Sequence, residues 1–107
     1  MQIDFSQVLN GFDGTPLRQI KVEGQPPEAI TLRDAAVEAL NRPEPREQID
    51  EVEKLKRFTL SLKVYGSRGD GADLTVEDIA LIKQRIGKIF PPIVVGRSFE
   101  LLDPPKP

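Results

Sequence analysis

Histidine and cysteine are both missing from the 107 residues of this chain, so any chemistry must come from its serines, lysines, arginines and carboxylates. Their absence removes the commonest general base, disulfides, thiolate catalysis and the usual structural zinc sets. Ser6, Ser61, Ser67 and Ser98 have no imidazole partner. A serine–lysine dyad through Lys63 or Lys83 is the remaining nucleophile option. The run EQIDEVE supplies paired carboxylates in Glu47, Asp50, Glu51 and Glu53, which read as a solvated helix face rather than the acid and base of a pocket. Around SRGDGAD, the residues Asp70, Asp73, Glu77 and Asp78 do not fall into the alternating register, with glycine sixth, that a calcium loop requires.

Other short matches fail on their mechanism. Gly87-Lys88 resembles the end of a phosphate-binding loop, but Ile89 stands where a hydroxyl must hold magnesium, and no glycine lies five residues upstream. Gly69-Asp70-Gly71 lacks the third glycine of a dinucleotide fingerprint. Arg68-Gly69-Asp70 is the triplet of integrin-binding loops, yet a three-residue match arises readily by chance in a charged glycine loop. No catalytic residue, cofactor or metal is therefore expected, and the chain reads as a non-enzyme.

Charge is distributed unevenly. Between Ile79 and Phe99 stand Lys83, Arg85, Lys88 and Arg97 with no acid, whereas Arg33 to Glu53 holds seven acids against three bases. The four cations are the expected partner-binding residues; the alternative is that the two regions pair with each other inside the fold. A formal net charge of −2 and a sequence pI near 5.2 give no overall attraction toward nucleic acid or anionic lipid. No apolar run approaches membrane-spanning length, and MQIDFSQVLNG has neither the basic start nor the apolar stretch of a signal peptide. A cytosolic protein with no membrane partner is expected, and a nucleic-acid partner stands last among the alternatives.

The elements that must position these residues follow from pattern and punctuation. One domain of residues 1–103 is expected: a β-hairpin or hook with a loop over 1–30, helices over 31–102, and a frayed or extended tail at 104–107. Ile3 and Phe5, then Ile20 and Val22, alternate with polar neighbours, and Asn10-Gly11 and Asp13-Gly14 favour tight turns. Thr31, three residues ahead of Asp34, should cap a helix over Leu32–Asn41 that Pro43 and Pro45 bring to an end.

A second helix is expected from about Arg46, with Ile49, Val52, Leu55, Phe58, Leu62 and Tyr65 at spacings of three and four. There the alternation of Phe58, Leu60, Leu62 and Val64 competes with it as a strand pattern; the unbroken, helix-prone EQIDEVEKLKR favours the helix. Thr75 with Asp78 opens a third helix whose apolar stripe is Val76, Ile79, Ile82, Ile86 and Ile89. Phe90 precedes a proline and ends it, and Pro91 or Pro92 can start a last helix that reaches Leu102. Gly87 and Gly96 would let backbones approach closely at that corner.

The segments IDFSQVLNGFDGTPL, ITLRDAAVEAL, EKLKRFTLSLKVY and DLTVEDIALIKQRIGKIFPPIVVGRSFELLD together resemble a group of small uncharacterised proteins, of about this length, encoded by tailed phages and prophages. The match extends over nearly the whole chain. The group carries no enzymatic motif, so the resemblance implies a phage product acting inside an infected bacterium, with no catalytic residue to transfer.

The expected fold is thus α+β and mostly helical, an N-terminal β-hairpin on about four helices. Its expected core is Phe5, Leu40, Val52, Leu55, Phe58, Leu62, Ile79, Ile82, Ile86, Phe99 and Leu102. The expected function is protein–protein interaction in tail or virion assembly, with modulation of a host protein as the alternative and a nucleic-acid accessory role behind both. Self-association is also expected, since a core this small is often supplemented by another subunit.

Overall fold

Thr31 and Asp34 build the cap that starts the central helix. The Thr31 hydroxyl accepts from the Asp34 backbone N–H at 3.2 Å, and the Asp34 carboxylate accepts from the Thr31 N–H at 2.9 Å. The two N–H groups between them are also satisfied: Leu32 donates to Gln7 O at 2.8 Å and Arg33 to Phe5 O at 2.9 Å. A helix N-terminus leaves four donors without intrahelical partners; here the N-terminal segment takes two of them and is thereby laid across the helix start.

The computed structural model describes residues 2–67 and 71–102. In chain order these form β1 (Gln2–Ile3), β2 (Arg18–Gln19), β3 (Glu28–Ala29), α1 (Leu32–Asn41), α2 (Glu51–Tyr65), β4 (Ala72–Asp73), α3 (Val76–Ile89) and α4 (Pro92–Leu102). The triplet at 68–70 and the tail expected at 104–107 lie outside the described residues. The fold is α+β and mostly helical, as expected, with four helices and two small antiparallel strand pairs among the described residues.

The hairpin is β2 with β3, pairing Arg18 with Ala29 and Gln19 with Glu28. Ile20 and Val22 lie in its exposed connection. Ile3 belongs instead to β1, which pairs with β4 in the register Gln2 to Asp73 and Ile3 to Ala72. Three backbone bonds of 2.8–2.9 Å, from Leu9 to Ile30, Leu17 to Leu9 and Ile30 to Leu17, tie the N-terminal hook together.

α1 packs against α2, α3 and α4. Its sequence DAAVEAL explains how one helix serves three neighbours: Ala35, Ala36 and Ala39 are buried and small enough to let other helices approach, while Leu32 and Leu40 fill the layers above and below. α3 starts with a second capping box, Thr75 with Asp78, both bonds 3.1 Å long. It buries Ile79, Leu81, Ile82 and Ile86, ends at Phe90, and turns through Pro91 into α4.

Two expectations are corrected. α2 begins at Glu51, capped by the Asp50 carboxylate accepting from Glu53 N–H at 2.9 Å, not near Arg46. Residues 42–50 are irregular because their carboxylates are drawn inward to arginines, as described below. In addition, four residues expected in the core, Val52, Leu55, Phe58 and Leu62, are exposed, while Phe99 is partly buried and Phe5, Leu40, Ile79, Ile82, Ile86 and Leu102 are buried. α2 meets α1 through Leu60, Ser61 and Val64 instead. At that contact the Asn41 amide donates to Ser61 Oγ at 2.9 Å, and the Ser61 hydroxyl donates to Arg57 O at 2.8 Å.

The glycines allow a sharp comparison. A Cβ on Gly96 would meet nothing within 4 Å, and one on Gly87 would meet only the Phe99 ring at 4.0 Å, so neither marks a close backbone approach. Gly71, just ahead of β4, has φ +86°, and a Cβ there would lie 2.8 Å from Ile3 O of β1. In urea denaturation, Gly96→Ala is expected to stabilise by about 0.5–1 kcal/mol, whereas Gly71→Ala is expected to destabilise by about 1–3 kcal/mol.

Candidate functional site

The side chain of Arg85, on α3, is only 1% exposed and lies beneath the loop that leaves α1. Its Nε donates to Ala39 O at 3.1 Å and one Nη donates to Arg42 O at 2.7 Å, satisfying carbonyls at the end of α1 where Pro43 and Pro45 stop the helix. The other Nη donates to Glu47 at 2.8 Å and Glu44 at 3.2 Å. A planar guanidinium can satisfy four acceptors on one side of a loop in this way; a lysine ammonium has neither the reach nor the geometry.

Glu47 completes the bridge. One carboxylate oxygen faces Arg85, and the other accepts from Arg57 of α2 at 2.6 Å; Arg57 also donates to Glu53 at 3.3 Å. One carboxylate therefore joins α2 to α3 across the loop from α1. Burial alone raises the Glu47 pKa, but the Arg57 hydrogen bond and the charges of Arg85 and Arg57 more than reverse this and leave it below the ordinary glutamate value of 4.5.

Of the four cations expected to bind a partner, Arg85 is thus engaged within the fold, and with two of the acids from the opposing charged region. Arg97 on α4 donates to Asn10 O at 3.1 Å and Gly11 O at 3.2 Å, pinning the N-terminal turn to the last helix, and also pairs with Glu100. Lys83 sits over the Phe99 ring, 5.0 Å from its centroid. Lys88 lines a wide, shallow depression of about 630 Å³ with Arg42, Pro43, Arg46 and Ile89. The four do not form a single patch.

Three of the four serines are similarly occupied. Ser6 Oγ donates to Asp4, Ser67 Oγ donates to Val64 O, and Ser61 is held as described above. Ser98 is fully buried, and its hydroxyl has no hydrogen-bond partner. No group of three metal-ligating side chains occurs among the described residues, and no helix among them is long and apolar enough to cross a membrane.

The largest unexplained feature is the outer face of α2. Val52, Leu55, Phe58, Leu62 and Tyr65 are 74%, 63%, 53%, 57% and 66% exposed. Their spacing of three, three, four and three residues puts them on one stripe, opposite the Leu60, Ser61 and Val64 face that meets α1. A groove of about 220 Å³, lined by Leu40, Pro43, Ile49 and Phe58, runs between α2 and the 42–50 loop and joins the stripe at Phe58. A strip of this kind differs from the singly scattered apolar residues of an ordinary protein surface. Sequence pattern placed four of these, Val52, Leu55, Phe58 and Leu62, in the core, and only the structure turned them outward.

Comparison with protein-family models, curated proteins and solved structures found no match to this chain. The fold and site define a mostly helical α+β domain that displays an apolar helix face.

The network makes two predictions. Arg85→Met should cost about 1–3 kcal/mol, because it leaves the Ala39 and Arg42 carbonyls at the end of α1 without their donor and takes one of two cations from half-buried Glu47, which keeps Arg57; chemical denaturation checks this. The pKa of Glu47 is lower in the folded than in the unfolded chain. Its stabilisation is therefore present above about pH 4.5 and is lost as pH falls through the folded value. The melting temperature should drop between about pH 5 and pH 3, and it should drop less steeply in Glu47→Gln.

Proposed function

We propose that this protein works without catalysis, by protein–protein association, and that the outer face of α2 is its contact surface. The observation that carries the reading is the exposure of Val52, Leu55, Phe58, Leu62 and Tyr65 along one helix. Leaving five large apolar side chains in water has a free-energy cost on the order of 25 cal/mol per Å², and a covering partner recovers it. Their arrangement matches helix-in-groove and helix-pair recognition, where anchors recur every three or four residues.

The resemblance to small tailed-phage proteins supplies the setting: a phage or prophage product in the cytoplasm of the host cell, acting in tail or virion assembly and in some cases carried in the particle. Modulation of a host protein through the same face is the second reading, favoured by the modest size of the stripe. The internal bonds of Arg85 and Arg97 weigh against a nucleic-acid role for the basic segment.

Wild-type and Leu62→Glu proteins serve as paired baits in lysate from infected cells. The expected result is a stoichiometric protein retained by the wild type and lost by the variant, with little effect of salt because the contact is apolar. Identical retained sets, or turnover of any small molecule by the pure protein, would overturn the reading. Mass spectrometry of purified particles separates the two settings: presence marks a virion component, and absence marks an assembly factor or host modulator.

A further inference from the structure

We propose that the surface covering the α2 stripe is a second copy of this chain, packed antiparallel about a two-fold axis that passes between Phe58 and Thr59. This rests on the reading of that face as the contact surface and names its occupant.

The stripe is self-complementary in sequence. Reversal about the point between residues 58 and 59 exchanges Val52 with Tyr65, Leu55 with Leu62, and Phe58 with Thr59. A two-fold contact demands this property, since residue i must meet residue j while j meets i. An unrelated partner places no such demand. Leu55, Phe58, Leu62 and Tyr65 also repeat at three, four and three residues, the spacing of a coiled-coil seam.

Electrostatics select the antiparallel sense. The first turn of α2 carries Glu51 and Glu53 after the Asp50 cap, and its last turn carries Lys63; Glu53 already pairs with Arg57 and Lys63 lies 4.0 Å from Asp78, so Glu51 and the helix dipole carry the preference. Antiparallel packing brings the acidic turn of one copy alongside the last turn of the other and opposes the helix dipoles; parallel packing would set like ends together.

Area defines the extent of the contact. Five large side chains at these exposures offer on the order of 500 Å² per copy, below the roughly 800 Å² per partner of a standard stable interface. The groove that meets the stripe at Phe58 must therefore be covered too, which brings Pro43 and Ile49 into the contact.

Light scattering over a wide dilution series tests the proposal. The expected mass rises from one chain toward two with concentration, and a Leu55→Glu, Leu62→Glu pair should weaken the dimer about a hundredfold or more. Circular dichroism should show the variant still helical, since both residues are exposed in the single chain; if it does not, Leu55→Gln with Leu62→Gln repeats the comparison. Because the chain has no native cysteine, mixing Val52→Cys with Tyr65→Cys proteins reads the orientation: antiparallel packing gives predominantly the mixed disulfide. A single-chain mass at every concentration, a dimer untouched by both pairs, or mainly self-linked cysteines would each overturn the proposal. A single-chain protein that still captures another protein through Leu62 sinks the second copy alone, whereas loss of capture and dimer together sinks the contact surface as well.

Discussion

One carboxylate, Glu47, holds two arginines from different helices, and the arrangement of the helical part depends on it. Arg85 lies in a buried position where a lone cation would be strongly disfavoured. It is tolerated because two carboxylates and two main-chain carbonyls close around it. Those acceptors belong to the end of α1 and the loop after it, so desolvating one charge fixes where the loop runs. Arg57 then ties α2 to the same carboxylate. Ion pairs of this sort add little stability over an apolar equivalent but strongly disfavour alternative arrangements that would leave a charge alone. The loop is held in register by that threat.

The same constraint explains why α2 can show apolar residues on both sides. Its inner face needs only Leu60, Ser61 and Val64 to meet the alanines of α1, because Arg57 and Asn41 supply polar ties beside them. A narrow, partly polar inner seam leaves the larger side chains no place inside. The larger side chains of the outer stripe are left exposed, at the cost of a smaller core within this chain.

Much of this was legible in the residues. Thr31 with Asp34 and Thr75 with Asp78 announced two helix starts, and the prolines at 43, 45, 91 and 92 announced the breaks, because capping and proline geometry are local and survive any packing. The inside of α2 was not legible. Phe58, Leu60, Leu62 and Val64 look like a strand because a helix with two apolar faces places Leu60 and Val64 inward and Phe58 and Leu62 outward, which mimics period two. Pattern alone marks which residues are apolar, not which of two faces is covered, and the larger side chains suggested the wrong one. The charge asymmetry was visible in the sequence, but its division between internal pairs, as at Arg85 and Glu47, and surface cations depends on three-dimensional proximity across about forty residues of chain.

The pairing of Ile3 with Ala72 bears on how the protein is made. The hook that shields Phe5 and Leu9 gains its strand partner only when the chain has been synthesised past β4, and its anchor at Arg97 comes later still. At about 5–20 residues per second, an emerging chain spends seconds with its first apolar residues waiting for distant mates. Contacts between residues this far apart in the chain form more slowly than local ones. Phe5 and Leu9 therefore keep an incomplete cover until both β4 and Arg97 have been made.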